Sequence, residues 1–132
     1  MSYMKKGYVL NIEEATINNT DFRRVHYTGE HSQLVLMSIE PGDEIGIETH
    51  TLDQFIRVEK GTAQVMLNGE EHALPAEFAV MIPAGVTHNI LNVGTDALKL
   101  YSIYSPPEHK DGTVHATKAL AVEEHFDGET TE

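Results

Sequence analysis

Hydrophobic positions along this chain fall in short β-rich runs separated by turn residues, with almost no helical periodicity. The runs lie at 7–11, 22–28, 33–39, 45–50, 54–59, 62–67, 71–74, 78–82, 88–92 and 98–104. Turn signals separate them at Pro41-Gly42, Lys60-Gly61, Asn68-Gly69, Pro83-Ala84-Gly85 and Gly94-Thr95-Asp96. Asn68-Gly69 is the sharpest of these. Flanked by β-rich runs on both sides, it predicts a two-residue type I′ hairpin. Many short strands at this spacing predict an antiparallel sandwich or barrel. Helix is expected only as one turn over 11–16 and about two turns over 117–125. Pro106 and Pro107 stop any strand, so 105–115 reads as an extended surface connection. The acidic residues 127–132 read as a frayed tail.

Composition narrows the picture. A chain of 132 residues is expected to form one domain, 1–132. No run approaches the roughly 18–20 apolar residues needed to span a membrane. Lys5 and Lys6 are followed by no apolar stretch, so no secretory signal is expected and the location expected is cytoplasmic. The absence of cysteine excludes disulfides and thiolate metal ligands. A net charge of −12 disfavours nucleic acid and anionic membrane as partners. An anionic small molecule would need local positive charge, from a metal or from a placed Lys or Arg.

The chemistry concentrates in two segments, Gly42-x5-Glu48-x-His50-x3-Gln54-x6-Gly61 and Pro83-x-Gly85-x2-His88-x3-Asn92. Side chains alternate faces along a strand, so Glu48 and His50 point the same way. Gln54 has the parity to face that side from the next strand, and His88 arrives from a separate hairpin. If the strands close into a barrel, these four can converge on one divalent ion. Gln54 either adds a carbonyl oxygen to the ion or only hydrogen-bonds nearby. Asp53 should lie on the opposite face and make turn contacts. Met37, Ile47, Ile56, Val58, Met81 and Ile90 are the candidate apolar cavity lining, and Tyr27, Tyr101 or Tyr104 could offer a polar contact. His26, His31, His72 and His125 read as surface or hydrogen-bonded histidines. His109, Asp111 and His115 leave three readings open: a second metal set, a polar loop with chance histidines, or a lid over the barrel mouth.

These paired segments resemble the two motifs of the cupin superfamily, small double-stranded β-helix (jelly-roll) proteins. The first family motif runs glycine, five residues, His-x-His, three or four residues, glutamate, six residues, glycine. The chain keeps both glycines, His50 and every spacing, but places Glu48 at the first histidine and Gln54 at the glutamate. The second motif is met by Pro83, Gly85, His88 and Asn92, with Glu77 at its leading glycine. The likeness runs over about 34–104. Residues 102–109 and 111–115 further resemble small bacterial single-cupin proteins loosely described as mannose-6-phosphate-isomerase-like.

The resemblance implies an all-β cupin barrel with its core at about 22–105 and a loop and tail at 106–132. It also implies a mononuclear divalent transition metal (Fe, Mn, Ni, Cu or Zn) and a small-molecule ligand. A homodimer is implied too, covering an exposed edge near 7–11 or 22–28. Moving the carboxylate from position 54 to 48 keeps the ligand charge at −1. Glu48, His50 and His88 are a two-histidine, one-carboxylate set, a donor type that suits iron(II) and similar metals. Isomerase-like chemistry, dioxygenase chemistry and non-catalytic binding all stay open.

Overall fold

In the computed structural model, which describes residues 4–132, the strands are where the turn residues place them. They are β1 (Arg23–Thr28), β2 (Gln33–Ile39), β3 (Asp53–Lys60), β4 (Thr62–Leu67), β5 (Glu70–Pro75), β6 (Ala79–Ile82), β7 (His88–Asn92), β8 (Leu98–Ser105) and β9 (Val114–His115). One antiparallel sheet has the order β6-β3-β8-β2-β1-β9, the other β5-β4-β7. Asn68 and Gly69 both adopt positive φ, 48° and 87°, in the two-residue turn between β4 and β5 that the sequence predicts. Gly61 is equally constrained. Its φ is +98°, and a Cβ there would lie 3.2 Å from Ala97 O and Leu98 Cα.

The sheets close on Val35, Met37, Ile39, Ile56, Val58, Ala63, Val65, Ile90, Leu98 and Leu100, all buried. Along β8 the inward positions run Leu98, Leu100, Ser102, Tyr104; along β3 they run Val58, Ile56, Gln54. The interior is therefore apolar at one end and polar at the other. Burying each aliphatic side chain stabilises by roughly 1.5–3 kcal/mol, so the apolar end holds the barrel and frees the polar end for chemistry.

Several expectations are corrected. Residues 45–50 form no continuous strand; bridges at Glu44↔Leu91 and Glu48↔His88 flank Gly46, whose φ of +115° breaks the ladder. Ile47 is 69% exposed and Met81 62%, so neither lines the barrel interior. Each alternates with an inward neighbour, Glu48 and Ile82. Residues 7–11 form no strand. Asn11 instead caps α1 (Ile12–Asn18), its Oδ1 accepting the Glu14 amide at 3.1 Å, and the helix runs past the one turn expected. In 117–125 only a 3₁₀ turn forms, Lys118–Leu120.

The tail is docked rather than frayed. Thr131 exchanges two bonds with Thr28, and Glu132 accepts from the Tyr27 hydroxyl and from the Lys6 and Gly7 amides. With β9 pairing Arg23 and Arg24, the β1 edge expected to meet a second copy is covered by the chain itself. The reading of residues 1–3 lies outside the described residues. Among the described residues no helix is long and apolar enough to cross a membrane.

Candidate metal centre

Glu48 and His88 face each other across an antiparallel bridge, each amide bonded to the other's carbonyl at 2.9 Å. Directly opposed residues share a face, and His50 rejoins that face two positions on. The turn carrying the second motif anchors the first: Gly85, at φ +86°, donates its amide to His50 O at 2.8 Å. Asp53 Oδ1 accepts the Ala84 amide, placing it in the turn as expected. Asn92 is structural, tying Ile39 O, Asp96 O and the Gly94 amide together.

Glu48, His50 and His88 each present one ligand atom, all within 4.8 Å of one another, a group that could hold a metal ion. The orientation of each is fixed separately. His88 is buried, and its Nδ1 lies 2.9 Å from Val86 O. A carbonyl only accepts, so Nδ1 carries the proton and Nε2 keeps its lone pair for a ligand, the usual support for a metal-binding histidine.

His50 Nε2 lies 2.8 Å from Glu48 Oε2, and by angle the ring nitrogen makes no satisfied hydrogen bond among the described residues. Two donors held about 2.1 Å from one ion at right angles sit about 3 Å apart, so this spacing is that of neighbouring ligands. Gln54, 3% exposed, pairs with Tyr104 across the strands and donates Nε2 to Ser102 Oγ at 2.9 Å. Its Oε1 is buried without a partner among the described residues, which costs about 1–3 kcal/mol unless something satisfies it.

The electrostatics agree with this geometry. The Glu48 contact raises the His50 imidazole above its ordinary value despite burial. For Glu48, burial pushes the carboxyl up, but His50 and the nearby Arg23 and His88 outweigh it and hold it low. Metal-free, the pair is ion-paired; a metal would displace the His50 proton.

The 106–126 segment closes the barrel mouth, the lid among the three readings of its polar residues. Gln33 is buried on β2, and its Nε2 donates to His109 O at 2.7 Å and to Thr28 Oγ1 at 2.9 Å. Its Oε1 accepts the His109 and Glu108 amides at 3.0 and 3.3 Å. Glu108 Oε2 thereby comes 3.7 Å from His50 Nδ1, while Oε1 lies 3.1 Å from His125 Nδ1. His109 turns inward, its ring edge-on to Tyr104 at 5.1 Å, its Nε2 buried without a partner and its imidazole pushed down to about 3 by burial. Tyr104, also edge-on to His50, is the inward tyrosine, its phenol pushed up by burial.

No second metal set forms from His109, Asp111 and His115: Asp111 accepts from Thr131 and His115 lies beside Arg23. A cavity of about 30 Å³ is enclosed by Arg23, Glu48, Glu108, His109 and residues 123–125. Sequence reasoning missed Arg23, Gln33 and Glu108, because only long-range contacts bring them here.

An antiparallel two-sheet barrel with two imidazoles and one carboxylate converging at its polar end defines a class of small β-barrel proteins with a candidate metal centre. Residues 35–104 match the family described as Cupin domain, and the chain belongs to the cupin family. It is 45% identical over 127 residues to the uncharacterized protein YrkC of Bacillus subtilis, covering 91% of this chain and 68% of that protein. It is also 45% identical over 120 residues to the uncharacterized protein L612 of Acanthamoeba polyphaga mimivirus, covering 86% and 74%. The crystal structure of BH2720 from Bacillus halodurans superposes with a TM-score of 0.86 at 47% identity, covering 87% of this chain and 92% of that one.

Proposed function

We propose that this cupin binds one divalent transition ion and acts on a small oxygenated molecule. Glu48, His50 and His88 hold the ion, and Gln54 Oε1 adds a fourth, weaker bond. What supports this is the convergence of three ligand atoms from two segments, with the Nδ1 proton of His88 engaged elsewhere and Gln54 Oε1 buried and unpaired. Without cysteine the donor set is nitrogen and oxygen, which suits Fe, Mn, Ni, Cu or Zn. Such an ion, when bound, polarises a carbonyl or hydroxyl oxygen as a Lewis acid or, if redox-active, serves oxygen chemistry.

The chain's own residues do the rest. Val86 O orients His88, Glu108 stands behind His50 Nδ1, and the 106–126 segment excludes water from the mouth. Size separates the substrate classes. About 30 Å³ holds roughly two waters, so a sugar phosphate enters only if 106–126 lifts away. A molecule of a few heavy atoms is the better fit to isomerase-like or oxygen chemistry with the segment seated. A second reading, binding without turnover, is favoured by the engagement of Glu108 with both His125 and His50, which leaves neither of its oxygens free to face a substrate.

Elemental analysis of protein purified without added metal tests the proposal. Near-stoichiometric transition metal is expected, lost in His50→Ala and in His88→Ala while the circular dichroism spectrum persists. Metal-free wild type that takes up no added ion sinks it. Metal retained without turnover across small hydroxy and oxo compounds selects the binding reading.

A further inference from the structure

Arg23 is a guanidinium in the wall of the cavity beside Glu48; its charge reaches Glu48, but it forms no ion pair among the described residues. Three of the acids around it are engaged elsewhere: Glu48 faces His50, Glu108 faces His50 and His125, and Glu124 faces Lys110; the fourth, Glu123, is exposed to solvent at the cavity rim. The neighbouring guanidinium, Arg24, takes Asp21. Arg23 itself is held by apolar and neutral contacts. It sits 5.2 Å from the Phe22 ring centre, with Nη1 3.3 Å from His115 Nδ1. His115 also receives the Val122 amide at Nε2, at 3.4 Å. A neutral imidazole has one acceptor nitrogen, so His115 serves one of these donors and supplies no negative charge. Arg23 Nε is buried and makes no hydrogen bond among the described residues.

A permanently charged, pre-oriented fork beside a metal group in a chain of net charge −12 calls for an anion. The Nη1 contact leaves the Nε–Nη2 edge, which receives a carboxylate in two parallel bonds. Charge sets the valence. With Glu123 exposed at the rim and screened by solvent, a divalent ion between Glu48, His50 and His88 together with Arg23 outweighs the inner carboxylates Glu48 and Glu108 by one unit, which one monoanion neutralises. The small cavity limits the molecule to a few heavy atoms.

We propose that Arg23 is the carboxylate anchor of this pocket, and that its ligand is a small 2-hydroxy or 2-oxo monocarboxylate whose adjacent oxygen faces Glu48, His50 and His88. This assignment rests on the metal-centre reading and narrows its substrate class.

Glycolate and its neutral isostere glycolamide are the probes, titrated calorimetrically into metal-loaded wild type, Arg23→Gln and Arg23→Lys, with inorganic phosphate as a third arm. Metal content and the thermal transition are measured on the same samples. Wild type is expected to bind glycolate at least about tenfold more tightly than glycolamide or phosphate. Arg23→Gln loses that preference while keeping its metal and its melting transition. Arg23→Lys, which keeps the charge without the fork, falls between. The assignment is overturned if metal-loaded wild type does not bind glycolate or does not discriminate it from glycolamide. Preference for phosphate, or undiminished glycolate binding by Arg23→Gln, overturns it as well. Failure of wild type to take up metal is a separate result and strikes the parent reading.

Discussion

Removing the Gln33 side chain from the barrel wall while keeping its bulk, as in Gln33→Leu, tests whether this residue pins the 106–126 segment over the metal pocket. Three of its four hydrogen bonds are 3.0 Å or shorter: to His109 O, to Thr28 Oγ1 and from the His109 amide. Two of these, both to His109, hold the segment, so at about 1 kcal/mol net for each the clamp is worth about 2 kcal/mol. The Glu108 amide at 3.3 Å adds little. In the variant, the freed groups at 108–109 reach water only if the segment lifts, so the loss should appear as local opening rather than global unfolding. About 2 kcal/mol corresponds to roughly thirtyfold more opening.

Native-state hydrogen exchange reads this at amides bonded within the segment but not to Gln33: Phe126 to Glu108 O, and Val25 to Thr113 O. Their protection should fall by roughly thirtyfold, while amides in the β2–β8 ladder keep theirs. Unchanged protection at Phe126 would refute the clamp. An equal loss in the β2–β8 ladder would make Gln33 an ordinary core residue.

Acid should destabilise the metal-free fold through His109. Its folded value of about 3 lies below the unfolded value of about 6.5, so stability is lost as pH falls from 6.5 toward 3. The loss reaches about 2 kcal/mol at pH 5. His50, with a raised value, acts with opposite sign, its contribution being present below the unfolded value and lost as pH rises through the folded one. Urea unfolding in chelator should therefore show a shallower acid loss in His109→Gln than in wild type; superimposable pH profiles would contradict the burial argument. Gly61→Ala should cost at least about 2 kcal/mol, from positive φ combined with contact against Ala97 O and Leu98 Cα. A urea midpoint equal to wild type would show that the turn relaxes freely.

Local chemistry wrote the barrel plainly. Asn68-Gly69 names its turn type because few residues tolerate two consecutive positive φ values, and period-two parity correctly put Glu48 and His50 on one face. Continuity of the strand was not legible: Gly46 splits the expected 45–50 run, and Ile47, expected to line the cavity, faces outward because it alternates with the inward Glu48. Residues 127–132 read as a tail because nothing local orders them; Thr28 and Tyr27, a hundred residues away, do. Arg23, Gln33 and Glu108 belong to the site by long-range contacts, as in the Glu108 amide to Gln33, 75 positions apart. No window of sequence carries that information.

The donor set itself is the central claim, and X-ray absorption at the metal edge reads it directly on zinc-loaded protein. The account predicts a first shell of nitrogen and oxygen at about 2.0–2.2 Å with outer-shell scattering from two imidazoles, falling to one in His88→Ala. A shell with no imidazole, or with three, which would bring His109 into the coordination sphere, would contradict it.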